Sequence, residues 1–397
     1  MAAAAAAAAA ASCYFVEILQ RLQVAQVSAL LDGTEHITVL GNSIFSNGDR
    51  STAFAIDGLG LRLPTYSCLK VTGGDELHVR FKLAEGQNVE SHPRKLQLIR
   101  PESTTLALRC RFCRSLLTNC AHEFKRVLPL PSDAWQEFYA DIFCHMDHSH
   151  GSTSSQPPGT ICPKEGDCLV GDDKLLVTIS SLRQESIVLD SSKEGTIGVM
   201  CRRCYSLLGT VLQGGNCHTR EAGNTPSMEG GVLPLCLKMS KLLIEEEGEG
   251  SAASDLMHPK GSRWKTLEDY FARRIYSVTI ATESFRFLLQ SDLGSTHIWV
   301  LSAGNRVAWS LHHSHQDFSG CYDGPEMESC CSVVSSSRPI MKLLYKATYT
   351  PEDEVEILKW DEDDWLNFNW ILSNRTKALP PSHRTANGFH VGFLCFL

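Results

Sequence analysis

The feature that most constrains this chain is a repeated cysteine motif. The pattern C-x-x-C-x-S-L-L occupies residues 110–117 and occurs again at 201–208, 91 residues further along. A C-x-x-C turn places two thiolates on one side of a loop, and a tetrahedral zinc ion needs two such turns. The repeat therefore predicts one zinc site with four ligands, Cys110, Cys113, Cys201 and Cys204. The sequence leaves open the alternative that each pair packs or oxidises independently.

A closed four-cysteine site leaves no coordination position for water, so its role would be structural and not catalytic. Because its ligands gather only when the chain folds, zinc binding would contribute directly to the folding free energy. We therefore expect zinc as a structural cofactor that staples an N-terminal lobe together.

Composition indicates a folded protein whose partners are other proteins. The 397 residues exceed the usual size of one domain, and 43% of them are hydrophobic, which is enough to bury a core. The net charge of −8 argues against the phosphate backbone as a partner, so we expect no direct nucleic-acid binding. The 16 cysteines are diluted over a long chain without a convincing export signal, and we expect reduced thiols.

The N-terminus is a run of ten alanines, residues 2–11, with no Lys or Arg before it. It therefore lacks the charged start of a secretory or mitochondrial signal. The uncharged stretch before Glu17 is also shorter than the roughly 20 apolar residues that a membrane span requires. We expect a low-complexity tail over residues 1–16, no membrane contact, and a cytoplasmic protein with the nucleus as a second possible location.

Hydrophobic patterning indicates a β-rich α+β fold with few helices. Strand-like runs lie at 77–83, 175–179, 186–189, 276–280, 285–289, 297–301, 341–345 and 389–397. Apolar residues at helical spacing predict helices after a Ser132 cap, around residues 264–271, and from near Asp363. Breaks in composition divide the chain into a β-rich lobe with both cysteine motifs (17–244), an acidic and Gly-rich linker (245–262), and a mixed β/α lobe (263–397).

A second group of metal-binding residue types lies at residues 144–150, which begin with Cys144 and contain three histidines. These side chains either complete another metal site or project into a partner's metal centre, or they form an ordinary polar loop. Motifs typical of serine hydrolases, P-loop nucleotide-binding proteins and zinc proteases do not occur. A reactive cysteine needs access and a lowered pKa, which sequence does not report, so the catalytic residue is left unknown.

Five motifs in order resemble the HECT-like ubiquitin ligase family that binds the cyclin-directed ubiquitin-conjugating enzyme. They are C-x-x-C at 110–113, R-V-L-P-L-P-S-x-x-W at 126–135, D-C-L-V-G-D at 167–172, C-x-x-C at 201–204, and L-P-x-S-x-R-x-x-N-x-F at 379–389, followed by Phe393 and Leu394. The resemblance implies a ubiquitin-protein ligase that accepts ubiquitin from a conjugating enzyme. It would pass that ubiquitin to substrates such as cyclin B for proteasomal degradation, in the cytoplasm.

The resemblance also implies a separate, non-catalytic role as an inhibitor of the pre-mRNA 3′-end-processing endonuclease. In that role a cysteine, matched here by Cys144, would enter the zinc active site of the nuclease. The chain departs from a true HECT domain, because it shows neither the bilobal layout nor the thioester cysteine near the end. Cys395 lies in an alternating strand, and we expect it to be buried. A zinc-stapled scaffold without activity is the third hypothesis.

Overall fold

The computed structural model describes residues 11–31, 37–40, 43–46, 52–55, 61–72, 76–83, 105–118, 122–130, 161–171, 173–193, 195–212, 233–246, 262–310, 337–347 and 355–396. The chain forms two compact units, one made of Met1–Lys95 together with Met257–Leu397 and the other of Leu96–Leu256. Strands dominate the described residues, which contain two α-helices. The expected β-rich α+β class is confirmed.

The strands, numbered in chain order, are β1 (Ala11–Leu19), β2 (Val24–Leu31), β3 (Ile37–Leu40), β4 (Ser43–Ser46), β5 (Thr52–Ala55), β6 (Leu61–Thr72), β7 (Glu76–Leu83), β8 (Thr105–Cys110), β9 (His122–Glu123), β10 (Arg126–Pro129), β11 (Asp167–Val170), β12 (Lys174–Thr178), β13 (Ile187–Lys193), β14 (Thr196–Cys201), β15 (Leu207–Val211), β16 (Pro234–Lys238), β17 (Leu242–Glu246), β18 (Arg286–Ser291), β19 (Gly294–Ser310), β20 (Arg338–Ala347), β21 (Glu356–Lys359), β22 (Thr385–Ala386) and β23 (Phe389–Cys395). The helices are α1 (Ser262–Thr282) and α2 (Glu362–Lys377).

The first unit is organised around a ten-stranded sheet. Its main order is β22-β23-β20-β19-β1-β2-β7-β6, and β18 pairs with both β19 and β21. The central pairing joins the two sequence segments of this unit, because β1 runs antiparallel to β19 with Phe15 opposite Trp309. These two side chains belong to a buried cluster that also contains Phe393. Strands β3, β4 and β5 form a separate three-stranded sheet.

Both described helices follow the apolar spacing of their sequences. Helix α2 begins after Asp361, whose side chain accepts a hydrogen bond from the Asp364 N–H at 2.9 Å, as an N-cap should. Phe368 on this helix and Phe271 on α1 are both buried and meet edge to face. The helices predicted around 264–271 and from Asp363 are confirmed. The helix predicted after Ser132 lies outside the described residues.

The strand predicted at 276–280 is wrong, because these residues belong to α1. The buried stripe of Leu267, Phe271 and Ile275 continues the helical period up to this segment. Thr279 adapts to the helix by donating its hydroxyl hydrogen to the Ile275 carbonyl at 2.8 Å. The β-branched residues therefore follow the packing of the helix rather than their own strand preference.

The second unit contains a seven-stranded sheet, in the order β10-β11-β12-β16-β15-β14-β13, and a three-stranded sheet, β17-β8-β9. Antiparallel pairing of β12 with β16 sets Leu175 opposite Leu237 and Val177 opposite Leu235, and all four side chains are fully buried. Strands β10 and β11 are parallel, with Arg126 opposite Asp167. Two of the sequence motifs, at 126–135 and 167–172, are therefore neighbours in space over their described residues.

The division into units differs from the predicted lobe of residues 17–244. Strands β1, β2, β6 and β7 belong to the sheet that also holds β19, β20 and β23, so the N-terminal segment lies in the unit of the C-terminal residues. The predicted linker at 245–262 does contain the second boundary between the units, at Leu256 and Met257. Composition can indicate where the chain passes from one unit to another. It does not indicate which strands pair, because paired strands can be far apart in sequence.

Candidate metal centre

The two cysteine motifs fold into turns with the same backbone hydrogen bonds. In the first turn, at the end of β8, the Cys110 N–H donates to the Ser115 carbonyl at 2.9 Å, and the Arg114 N–H donates to the Cys110 carbonyl at 2.8 Å. The same two bonds, 2.9 and 2.8 Å long, recur 91 positions later in the turn that begins at Cys201. The repeated sequence is therefore a repeated structure.

The other repeated positions have structural roles as well. The residue after the second cysteine adopts a left-handed backbone in both turns, with φ of 59° at Arg114 and 55° at Tyr205. Such a conformation is costly for a residue other than glycine. The final leucine of each motif, Leu117 or Leu208, is fully buried, which anchors the turn on the core of the unit.

The four cysteine sulfur atoms converge on one point. Cys110 Sγ lies 3.6 Å from Cys204 Sγ, and Cys113 Sγ lies 3.5 Å from Cys201 Sγ. All four atoms lie within 4.8 Å of one another. A tetrahedral ion with metal–sulfur bonds of about 2.3 Å would place its ligands about 3.8 Å apart. The donor set matches such an ion, and these close sulfur contacts between the motifs disfavour two independent pairs.

Burial makes the metal-free cluster electrostatically costly. Cys110 and Cys201 are fully buried, and burial raises the pKa of the Cys110 and Cys113 thiols. Burial also acts to raise the pKa of Cys201, but hydrogen bonds from the backbone of Cys204 and Arg203 outweigh it and lower that pKa. Four thiolates would repel one another in this space. A bound cation supplies the compensating charge, so the cluster is suited to hold a metal ion.

The residues between the cysteines pack the centre into the unit. Arg203 of the second turn donates a hydrogen bond to the Cys113 carbonyl of the first at 3.5 Å. Arg111 is buried, with 6% of its surface exposed, and its backbone N–H donates to the Lys241 carbonyl at 2.9 Å. The Lys241 ammonium lies 5.6 Å from the centroid of the Phe112 ring. These contacts attach both turns to the rest of the second unit.

An ion pair connects the two neighbouring motif strands β10 and β11. The Arg126 guanidinium donates two hydrogen bonds to the Asp167 carboxylate, at 2.9 and 2.7 Å. This hydrogen-bonded guanidinium holds the pKa of Asp167 below its usual value, although burial acts in the opposite direction. Asp167 is nearly buried, whereas about half of the Arg126 side chain is exposed. The pair sets the register between β10 and β11 and takes no part in the metal cluster.

The remaining cysteine predictions have different outcomes. Cys395 in β23 is fully buried, as expected, and burial raises its pKa. Burial likewise raises the pKa of Cys168 in β11 to about 12. Neither thiol has the exposed, ionised form that a transfer reaction needs. Cys144, the proposed ligand of a partner's zinc, lies outside the described residues.

Sequence reasoning missed a polar cluster in the first unit. Ser382, in the motif at 379–389, contacts both Glu76 and His78 of β7. The alternation of β7 marked His78 as lying on the polar face of the strand. Nothing in the local sequence marked a partner about 300 residues away.

Neither of the described helices is long and apolar enough to cross a membrane.

Comparison with known proteins gives a consistent picture over nearly the whole chain. The chain is 26% identical to a protein of Mus musculus named as an E3 ubiquitin-protein ligase, over 96% of its own length and 97% of that protein. The ligases of the same name from Rattus norvegicus and Homo sapiens are 25% and 24% identical over 84% of this chain, covering 82% and 84% of their own lengths. No solved structure matches the chain. The model of the family described as HECT-like ubiquitin-conjugating enzyme (E2)-binding matches residues 46–391, and this chain therefore belongs to that family.

Proposed function

We propose that this protein is a ubiquitin-protein ligase that accepts ubiquitin from a conjugating enzyme and transfers it to substrate proteins. The observation that carries the proposal is the match of residues 46–391 to an E2-binding family. The mouse relative, named as an E3 ubiquitin-protein ligase, aligns over nearly all of both chains, which supports the same activity here. We place B-type cyclins among the substrates and proteasomal degradation as the outcome, in the cytoplasm and also the nucleus.

The metal centre has a structural role in this proposal. Among the described residues the ligand group consists of four cysteines, which favours zinc, and a tetrahedral site filled by four sulfur atoms has no open position for a substrate. The ion would lock the two turns together in the second unit. Zinc would then support activity only by keeping this unit folded.

Reconstituted ubiquitination tests the ligase proposal. The full chain is incubated with ubiquitin, the activating enzyme, the cyclin-directed conjugating enzyme and cyclin B, and ubiquitinated cyclin B is measured by immunoblotting. We expect modification that depends on the chain, and direct binding of the chain to the conjugating enzyme in calorimetry. Absence of both binding and chain-dependent modification would refute the proposal.

We propose the inhibitory role as a second function, supported by the position of Cys144 after the motif at 126–135. A thiolate can occupy the position that water holds in a catalytic zinc site. The test is binding and inhibition of the purified 3′-end-processing endonuclease by the full chain and by Cys144→Ala. Inhibition that survives this substitution would contradict the proposed role of Cys144.

A further inference from the structure

The polar cluster of the first unit contains a serine with a strongly held hydroxyl group. Ser382 lies in the 3₁₀ turn Pro381–His383 that follows α2. Its hydroxyl donates a hydrogen bond to Glu76 Oε1 at 2.5 Å, and its backbone N–H donates to Glu76 Oε2 at 3.2 Å. Both oxygens of one carboxylate therefore contact the same residue. A carboxylate that accepts a hydrogen bond from a hydroxyl group is placed to take its proton as a general base.

A histidine completes the cluster. His78 Nε2 lies 3.2 Å from Ser382 Oγ and 3.0 Å from Glu76 Oε1. His78 Nδ1 lies 2.9 Å from the hydroxyl oxygen of Ser28 on β2, which fixes the orientation of the ring. The ring also contacts His383, with centroids 4.7 Å apart and the two ring planes tilted by 34°. Nucleophile, base and orienting group thus occur in hydrogen-bonding sequence, as in enzymes that use an activated hydroxyl group.

Exposure differs between the members of the cluster in the way that such chemistry requires. Ser382 is exposed, whereas 4% of the surface of Glu76 and 17% of the side chain of His78 are accessible. The candidate nucleophile therefore faces incoming reactants, while its bases are shielded from bulk water.

The thiols of the described residues offer a ligase little for covalent transfer. Cys110, Cys113, Cys201 and Cys204 are committed to the metal cluster. Cys168 and Cys395 are fully buried. Cys236 of β16 is half-buried and lies outside the cluster, whereas Ser382 is exposed and has adjacent bases, so the hydroxyl group is the more accessible nucleophile.

We propose that Ser382 accepts ubiquitin from the charged conjugating enzyme as an oxyester; this inference rests on the proposed ligase function. Ser382 Oγ attacks the thioester carbonyl, a carbon–oxygen bond forms, and the carbon–sulfur bond to the conjugating enzyme breaks. The hydroxyl proton passes to the pair formed by Glu76 and His78 and then to the departing thiolate. A substrate amine later attacks the oxyester, forms the amide and returns the proton to Ser382.

A narrow groove next to the cluster offers a place for the ubiquitin tail. It has a volume of about 40 Å³ and shares Ser28 with the cluster, and its lining includes Tyr14, Leu379, Lys377 and Arg384. This space accommodates a few atoms, so it would take a small part of an extended chain whose terminal carbonyl group lies outside it, at Ser382. The neighbouring cationic side chains would attract the carbonyl oxygen atoms of an extended chain.

The test is a single-round transfer from a conjugating enzyme preloaded with ubiquitin to the full chain, without substrate. We expect a ubiquitin adduct that resists thiol reductant and is released by mild alkali, with the modified peptide containing Ser382. Ser382→Ala should abolish it, and Ser382→Cys should convert it to an adduct that reductant cleaves. Glu76→Gln and His78→Asn should slow its formation by about 10²-fold or more. Ser373→Ala, at an exposed position of α2, is the matched control and should react like the wild type.

Three results distinguish failure of the Ser382 oxyester from failure of the proposed ligase function. An alkali-labile adduct that persists in Ser382→Ala would overturn the role of this residue. Chain-dependent discharge to free lysine without an adduct would overturn the oxyester and leave the ligase function standing. Failure of the chain to bind the charged conjugating enzyme would refute the ligase proposal itself. Ser382→Cys retains a nucleophile, and melting curves of both Ser382 variants identify any loss due to unfolding.

Discussion

Arg375 and Glu268 form a buried ion pair that joins the two helices of the first unit. Arg375 Nε donates to Glu268 Oε1 at 2.7 Å, and Nη2 donates to Oε2 in a second, parallel bond. The same Glu268 Oε1 accepts the Cys395 N–H at 2.9 Å, which connects the pair to β23. The guanidinium also lies 4.9 Å from the ring of Trp309. One pair of side chains thus ties α1, α2 and the sheet together.

Replacing one member of this ion pair should strongly destabilise the protein. Arg375→Met leaves the Glu268 carboxylate buried without its guanidinium, and we expect a loss of about 3–5 kcal/mol in the free energy of unfolding. The double variant Glu268→Leu with Arg375→Met should recover part of this loss, because no unpaired charge is left, although the Cys395 N–H loses its acceptor. Urea unfolding measures the free energy of unfolding of the single and the double variant. Arg273→Met is the control, since its partner Asp269 is more accessible and the expected cost is below about 1 kcal/mol.

Loss of a cluster cysteine should release the metal and unfold the second unit. Cys204→Ser removes one of four ligands, so we expect less than the one zinc per chain of the wild type and a loss of several kcal/mol in stability. Metal content is measured by elemental mass spectrometry and stability by thermal melting. Cys236→Ser, a half-buried cysteine of β16 outside the cluster, should keep its zinc. A zinc content of one per chain in Cys204→Ser would contradict the assignment.

The left-handed backbone at Tyr205 predicts a stabilising substitution. Its φ is 55° and 68% of its surface is exposed, so glycine would relieve backbone strain while losing little packing. We expect Tyr205→Gly to raise the free energy of unfolding by about 0.5–1 kcal/mol. Tyr205→Ala removes the same ring but keeps the strain, and it should not stabilise. Chemical unfolding of the zinc-loaded proteins measures the free energy of unfolding of each variant. Equal effects of the two substitutions would count against backbone strain at this position.

Local patterns in the sequence predicted the parts of the structure that local chemistry determines. The four-cysteine cluster was predictable because the two copies of one turn carry their own cysteines, anchoring leucine and backbone geometry. Helix α2 was predictable because its apolar residues recur at helical spacing, and the structure adds the Asp361 cap that begins it. The strand predicted at 276–280 failed because α1 carries its helical stripe past that segment, and tertiary packing overrides the preference of Val278, Thr279 and Ile280.

Relationships between distant residues were not predictable from one sequence. The pairing of β1 with β19 joins Ile18 to Arg306, and no local signal distinguishes this partner from other alternating strands. The same holds for Ser382 and Glu76, whose contact depends on the register of the whole first-unit sheet. Sequence marked both segments as notable, one by alternation and the other by its motif. Only the structure showed that Glu76 of β7 and Ser382 of the motif at 379–389 are in contact.

The ion pair between Arg126 and Asp167 predicts a specific pH dependence. The guanidinium lowers the pKa of Asp167 in the folded state below the value of about 3.9 in an unfolded chain. The pair therefore contributes its full stability above about pH 4 and loses it as the pH falls through the folded pKa. Asp167→Asn should be less stable than the wild type at pH 7, and this difference should shrink as the pH falls below 4. Urea midpoints from pH 7 to pH 3 test this. Glu185→Gln, at an exposed pair with Arg183, should change the profile less, and parallel profiles for wild type and Asp167→Asn would contradict the assignment.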